Sequence, residues 1–190
     1  MNHSPIKVIC LLTMLILASV AIAPGQRWQA GYVVTTENDT IHGYVKKWWP
    51  YTIARSSALA EFRTERRSQS DFYEPGDLSA YCRGEDLYLS GLSREFYAFL
   101  KVEEIGRLQL LRYSGINHLY SPRQRFSPIF NRYYLARYTA PQHLKKVRKE
   151  TFSGEMSRFL RDMPQLSEQI RNRELRYRNL HEIVEEYNRR

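Results

Sequence analysis

The stretch Gly31–Val45, Gly-Tyr-Val-Val-Thr-Thr-Glu-Asn-Asp-Thr-Ile-His-Gly-Tyr-Val, sets the tightest constraint on the fold. Tyr32, Val34 and Thr36 alternate with Val33 and Thr35, which is the two-residue period of an extended strand. β-Branched and aromatic side chains fit a pleated, half-buried surface. Glu37-Asn38-Asp39 then supplies a turn, because Asn tolerates a positive φ and Asp bonds the backbone that follows it. Thr40–Val45 returns as a second strand, in which Gly43 marks a bulge or a close backbone approach. The turn reads as an architectural element that sets strand register, not as a ligand loop.

A hydrophobic leader precedes the hairpin. Met1–Lys7 carries one base and no acid, and the 16 residues Val8–Ala23 are apolar apart from Thr13 and Ser19. Ala21 and Ala23 place small residues where signal peptidases cut, so residues 1–25 are expected to be a secretory signal. Cleavage fits after Ala23 or after Gly25. A retained anchor formed by Val8–Ala23 is the alternative, although the run is shorter than the ~20 residues of a spanning helix. Removal of the leader leaves Cys82 as the sole thiol, so no internal disulfide can form, and Cys82 is expected to be buried and unreactive.

Charge narrows the partners. The full chain is +9; the mature part keeps 28 bases against 20 acids, about +8, because the leader holds one base. Behind an export signal, dispersed surface charge with no specific partner is the first reading; an envelope protein, a glycan or an anionic membrane surface is the alternative, and nucleic acid is disfavoured.

Downstream, Ala58–Thr64 reads as a third strand, with Arg63, Arg66 and Arg67 leading into a polar turn. Pro75-Gly76 marks another turn. Leu78–Arg83 and Asp86–Ser90 flank Gly84-Glu85 as a tight hairpin. Glu95–Val102 is strand by its aromatic content, and Gly106 ends it. Arg107–Tyr113 and Asn117–Ser121 are expected to be strands joined at Ser114-Gly115, and Asn131–Tyr138 is the last strand candidate. From Thr151 the period changes: Phe152, Met156, Phe159 and Leu160 share a helical face. Asp162 and Gln165 fit a capping box around Pro164, and Asn179 with Glu182 fits another. The fold class is therefore α+β: an antiparallel meander or barrel-like sheet over residues 26–150, then about three short helices over 151–190 of the same domain.

Catalytic patterns are missing from the sequence. The histidines have no metal-ligand spacing, and neither a nucleophile elbow, Ser-x-x-Lys nor a phosphate loop occurs. No cofactor, metal or catalytic residue is assigned. Glu103-Glu104 and Glu185-Glu186 are neighbours that point apart and read as solvated charges. Two basic runs, Lys145–Lys149 and the Arg171, Arg173, Arg176 and Arg178 series around Tyr177, read as soluble faces. Trp48 and Trp49 are adjacent, so at most one enters a core easily, and the other suits a rim or a sugar-stacking site.

Three blocks together resemble a family of uncharacterised secreted proteins of Bacteroidota. The first is the Asn38-Asp39-Thr40 turn with Gly43, where Asn stands for the family's usual Gly. The second is Tyr73, Pro75, Asp77 and Leu78. The third is Asp162, Pro164, Leu166, Ile170, Ile183, Val184, Tyr187 and Asn188. The resemblance implies a cell-envelope setting and no particular activity. The expected function is thus an exported, periplasmic or outer-membrane-associated binding or assembly module, leaning away from an enzyme. The rival is a hydrolase or carbohydrate-active protein whose site is built from dispersed residues.

Overall fold

The computed structural model describes residues 27–47, 57–93, 96–116 and 129–189. The leader, Trp48, Trp49 and Asn117–Ser121 lie outside them. Strands β1 (Trp28–Thr35) and β2 (Thr40–Lys46) form the expected hairpin. The Thr35 N–H donates to the Asp39 carbonyl at 2.9 Å, and the Asp39 N–H donates to the Thr35 hydroxyl at 3.2 Å. Asn38 takes the left-handed position at φ 70°, as a turn asparagine can.

Next come β3 (Ala60–Arg63), β4 (Asp71–Tyr73), β5 (Leu78–Arg83), β6 (Asp86–Ser93), β7 (Phe96–Glu104), β8 (Leu108–Ile116), β9 (Ile129–Arg137) and β10 (Ala140–Lys146). Helices α1 (Phe152–Phe159), α2 (Pro164–Arg171) and α3 (Leu180–Arg189) follow, with a 3-10 turn at Tyr177–Asn179 before α3. All these strands belong to one antiparallel sheet in the order β4-β3-β2-β1-β5-β6-β7-β8-β9-β10. The class is α+β, dominated by the sheet. Its one departure from a simple meander is β5, which returns past the first hairpin to take the free edge of β1.

Register explains where the core sits. Val33, Tyr81, Tyr88, Lys101, Arg112 and Tyr133 lie side by side across β1, β5, β6, β7, β8 and β9, so they share one face. At the β1 end of that face Val33, Val45, Phe62, Tyr81 and Phe99 form a core in which Tyr81 stacks on Tyr88 with ring centroids 4.4 Å apart. At the β9 end Leu108, Leu110 and Leu135 meet the helices. The opposite face holds a third cluster, Leu100, Leu111, Tyr134 and Ala136, with Leu89 of β6 and Leu144 of β10 against it. Strand β10 comes within 8 Å of β6 between Cα atoms. The sheet therefore curls over that cluster.

Helices of 8, 8 and 10 residues are too short to stand alone in water. Packing holds them. Leu160, Ile170, Ile183 and Val184 are fully buried, each worth ~2 kcal/mol of transfer free energy, which outweighs the weak helix propensities.

Four local expectations are corrected. Ser114 and Gly115 are not a turn: they lie within β8, opposite Asn131 and Phe130. Strand β10 was not expected, and its Pro141 is tolerated because β10 is an edge strand. Asp162 does not cap α2, because Pro164 is the first helical residue and Met163 the N-cap. Its carboxylate instead takes two 3.1 Å hydrogen bonds from the Arg137 guanidinium and one from the Tyr187 hydroxyl. A charge-assisted pair outcompetes a cap. Asn179 ends the 3-10 turn and donates to the Glu182 side chain at 3.0 Å, rather than accepting from the α3 backbone as a box residue would.

Asn188 clamps the last helix to the sheet. Its amide accepts from the Leu108 N–H at 2.9 Å and donates to the Leu108 carbonyl at 2.8 Å. Gly106 makes room for it, since a Cβ there would lie 2.2 Å from Asn188 Cγ. Asn188→Ala is expected to cost about 2 kcal/mol for two part-buried hydrogen bonds. Gly106→Ala should cost as much by displacing the amide. The two should be clearly less than additive in denaturant midpoints, because the second change has no clamp left to break.

Helix α1 is tied down by Glu155, which receives Lys145 at 2.6 Å, Thr151 at 2.6 Å and Arg148 at 3.4 Å. The Lys145 and Thr151 hydrogen bonds lower its carboxyl from 4.5 to about 2. A depressed carboxyl stabilises the fold above its unfolded value and loses that contribution as pH falls through the folded one. Thermal melts should therefore show Glu155→Gln less stable than the parent above pH 4.5, with the difference shrinking as pH falls towards 2.

Candidate functional site

The first hairpin and β3 build a concave basic face. Trp28 lies opposite Lys46, and Tyr44 lies opposite Arg63, so register brings these four to one side of the sheet. Arg66 and Arg67 join them from the turn after β3, and Arg27 from the start of β1. Arg27, Trp28, Tyr44, Arg63, Arg66 and Arg67 line a cavity of about 330 Å³.

Arg63 is its centre. The guanidinium stacks over the Trp28 ring at 4.0 Å and stands 5.9 Å from the Tyr44 ring. Arg66 lies 5.8 Å from the other side chain of that pair, Tyr44. Cation–π contacts of this kind orient a guanidinium without neutralising it. The nearest carboxylate on the same face, Glu61, is already engaged: Lys46 donates to it at 2.9 Å and Ser70 at 3.1 Å. Glu61 is only 4% exposed, so it stays with Lys46. Among the described residues Arg63 Nε is buried and has no hydrogen-bond partner.

A second constellation crosses the sheet. Asp86 is held by Arg83 and Lys101, each at 2.9 Å, and Glu103 by Arg112 at 2.6 Å and Lys101 at 3.8 Å. Arg83 also donates to the Tyr88 hydroxyl at 2.9 Å. Arg112 reaches Ser114 at 3.4 Å, and Ser114 donates to Asn131 at 2.9 Å. Burial pushes the Asp86 carboxyl up, but hydrogen bonds from Lys101 and Arg83 outweigh it and hold it below its ordinary value. Burial pushes the Tyr88 hydroxyl up. Signs alternate along this ladder, and each of its two carboxylates is held by two cations. A carboxylate pinned ionised suits an ion pair better than a general acid, which needs its proton near neutral pH.

A third concavity, about 650 Å³, lies between α2 and α3 and is lined by Glu168, Glu174, Glu182 and Glu186 with Gln165 and Arg189. Arg189 pairs with Glu186 at 3.0 Å and with Glu185 at 3.9 Å.

The groups singled out in the sequence disperse. Lys145 and Arg148 of the first basic run are spent on Glu155. Tyr177 of the second run packs edge-on against Phe152 and Tyr133. The acidic neighbours Glu103 and Glu104 each have their own partner, since Glu104 meets His181 at 3.3 Å. Both are half-buried, Glu103 in an ion pair and Glu104 beside the His181 ring, rather than solvated charges. His42 stands edge-on to Tyr32. Cys82 is half-buried rather than buried; burial raises its thiol above the ordinary value, and its Sγ lies 3.3 Å from the Gly84 carbonyl. No group of three or more His, Cys, Asp or Glu among the described residues is placed to hold a metal.

The pocket was hidden from sequence because its parts are dispersed. Arg63, Arg66 and Arg67 stand out as a basic turn, but only the β2–β3 register sets them beside Trp28 and Tyr44.

Removing Lys46 tests the electrostatic arrangement. Lys46→Met should destabilise by about 2 kcal/mol, since it leaves the Glu61 carboxylate buried and unpaired. Adding Glu61→Gln should recover most of that loss in urea denaturation. The chain itself offers no shortcut to function: neither protein-family models, curated proteins nor solved structures match it.

Proposed function

We propose that this protein is exported to the cell envelope and works there as a non-enzymatic binding module for an anionic partner. One observation carries the reading: the Arg63 pocket gathers four arginines and two aromatic rings with no acidic residue among its lining. The leader and residues 48–56, which flank the pocket strands in sequence, contain no Asp or Glu either. By contrast, the lysine and arginines of the cross-sheet ladder, Arg83, Lys101 and Arg112, each hold a carboxylate. Excess positive charge at one concave site attracts and orients anions.

The export half of the proposal rests on the leader, with its basic start, apolar centre and small residues at Ala21 and Ala23. Among the described residues no helix is long and apolar enough to cross a membrane. The hydrolase reading keeps one supporting feature, the acid-lined groove between α2 and α3.

Fractionation of cells expressing the tagged full chain addresses export directly. The protein is expected in the periplasmic or envelope fraction, with an amino terminus at Pro24 or Gln26. Recovery in the cytosol with Met1 intact would overturn the proposal.

A further inference from the structure

Building on the anion-binding reading, we infer that the Arg63 pocket recognises a phosphomonoester carried on a compact polar group, such as a phosphorylated sugar, free or as a lipid headgroup. Three features select this chemistry. The first is charge. A phosphomonoester carries about −1.5 to −2 at neutral pH with three strong acceptor oxygens, and the cavity offers Arg27, Arg63, Arg66 and Arg67. A single carboxylate would satisfy fewer of those forks and leave more positive charge uncompensated.

The second feature is geometry. Guanidinium groups present planar, paired donors that match phosphate oxygens. Arg63 is pre-oriented by the Trp28 ring at 4.0 Å and lines the cavity beside Arg27, Arg66 and Arg67. Glu61, the nearest carboxylate on that face, is held by Lys46 and Ser70. The cavity's arginine forks therefore meet no carboxylate within its lining. The third feature is size: about 330 Å³ lies at the lower end of small-ligand pockets, enough for one phosphorylated ring and too small for a folded oligosaccharide.

The test is equilibrium binding of the purified, exported chain to a hexose 6-phosphate, the unphosphorylated hexose and a hexuronate. In parallel, flotation uses phosphatidylcholine vesicles containing either phosphatidic acid, a monoester, or phosphatidylglycerol, a diester. Saturable binding of the monoester is expected, with the hexose silent and the hexuronate at least about tenfold weaker, the scale of one charge-assisted hydrogen bond. Arg63→Lys, which keeps charge and loses the fork, should weaken the monoester about tenfold. If Arg63→Lys fails to fold, Arg66→Gln with Arg67→Gln, both on an exposed turn, should produce the same loss.

Binding of hexose phosphate alone places the source in solution, and binding of phosphatidic acid vesicles alone places it in a membrane; either supports the inference. Equal binding of hexuronate, or of phosphatidylglycerol and phosphatidic acid, overturns the phosphomonoester assignment while leaving a general anion site standing. No binding of any anion by a chain that still fractionates with the envelope overturns the pocket itself.

Discussion

Strand β1 carries ladder hydrogen bonds on both edges, to β2 on one side and β5 on the other, and the sheet depends on how closely those neighbours approach. Gly31 stands opposite Gly43 of β2 and Arg83 of β5. A Cβ at Gly31 would lie 2.0 Å from the Cys82 carbonyl oxygen, and one at Gly43 would lie 2.3 Å from the Arg63 carbonyl oxygen. Bare backbone at these two sites lets β5 and β3 come in at ladder distance. Everything from β5 to β10 is then laid down strand by strand from the β1–β5 seam. Without that seam the helices would have no sheet to cover, while the β1–β2 and β2–β3 registers set Trp28 and Arg63 on one face.

The same packing decides where charge goes. A chain of net charge +9 has few acids to spare. Asp86 and Glu103 are drawn into the half-buried ladder, Glu155 ties α1 to β10, and Asp162 locks Arg137 and Tyr187 together. These acids are held where the interior would penalise an unpaired cation. The face of β1–β3 keeps only Glu61 for Lys46. The arginines around Trp28 are therefore left to solvent and to ligands. A basic pocket follows from spending acids on structure elsewhere.

Much of the fold was legible because it is local. The Asn38 turn, the Gly84 hairpin and the apolar stripe from Phe152 to Leu160 each rest on neighbours within a few residues. Ser114-Gly115 misled because turn chemistry is a local preference, and pairing with Asn131 and Phe130 overrode it. Asp162 misled for a similar reason: its capping potential was real, but Arg137, 25 residues earlier, offered a stronger partner. The candidate site was the least legible part. Its arginines look like an ordinary polar turn until β2 and β3 pair, and the two basic runs that stood out are spent on Glu155 or surround Tyr177, which is half-buried against the core.

The central claim is that Arg63, stacked on Trp28 in a cavity whose lining carries four arginines and no acid, is the point of ligand contact. Side-chain Nε–Hε resonances of the arginines, followed by NMR while inorganic phosphate is titrated in, report on it residue by residue. The account predicts a saturable shift at Arg63 with Arg66 and Arg67 following the same curve, while Arg83 and Arg112, held in the ladder, stay still. Shifts of equal size across all arginines, or none at Arg63, would contradict it.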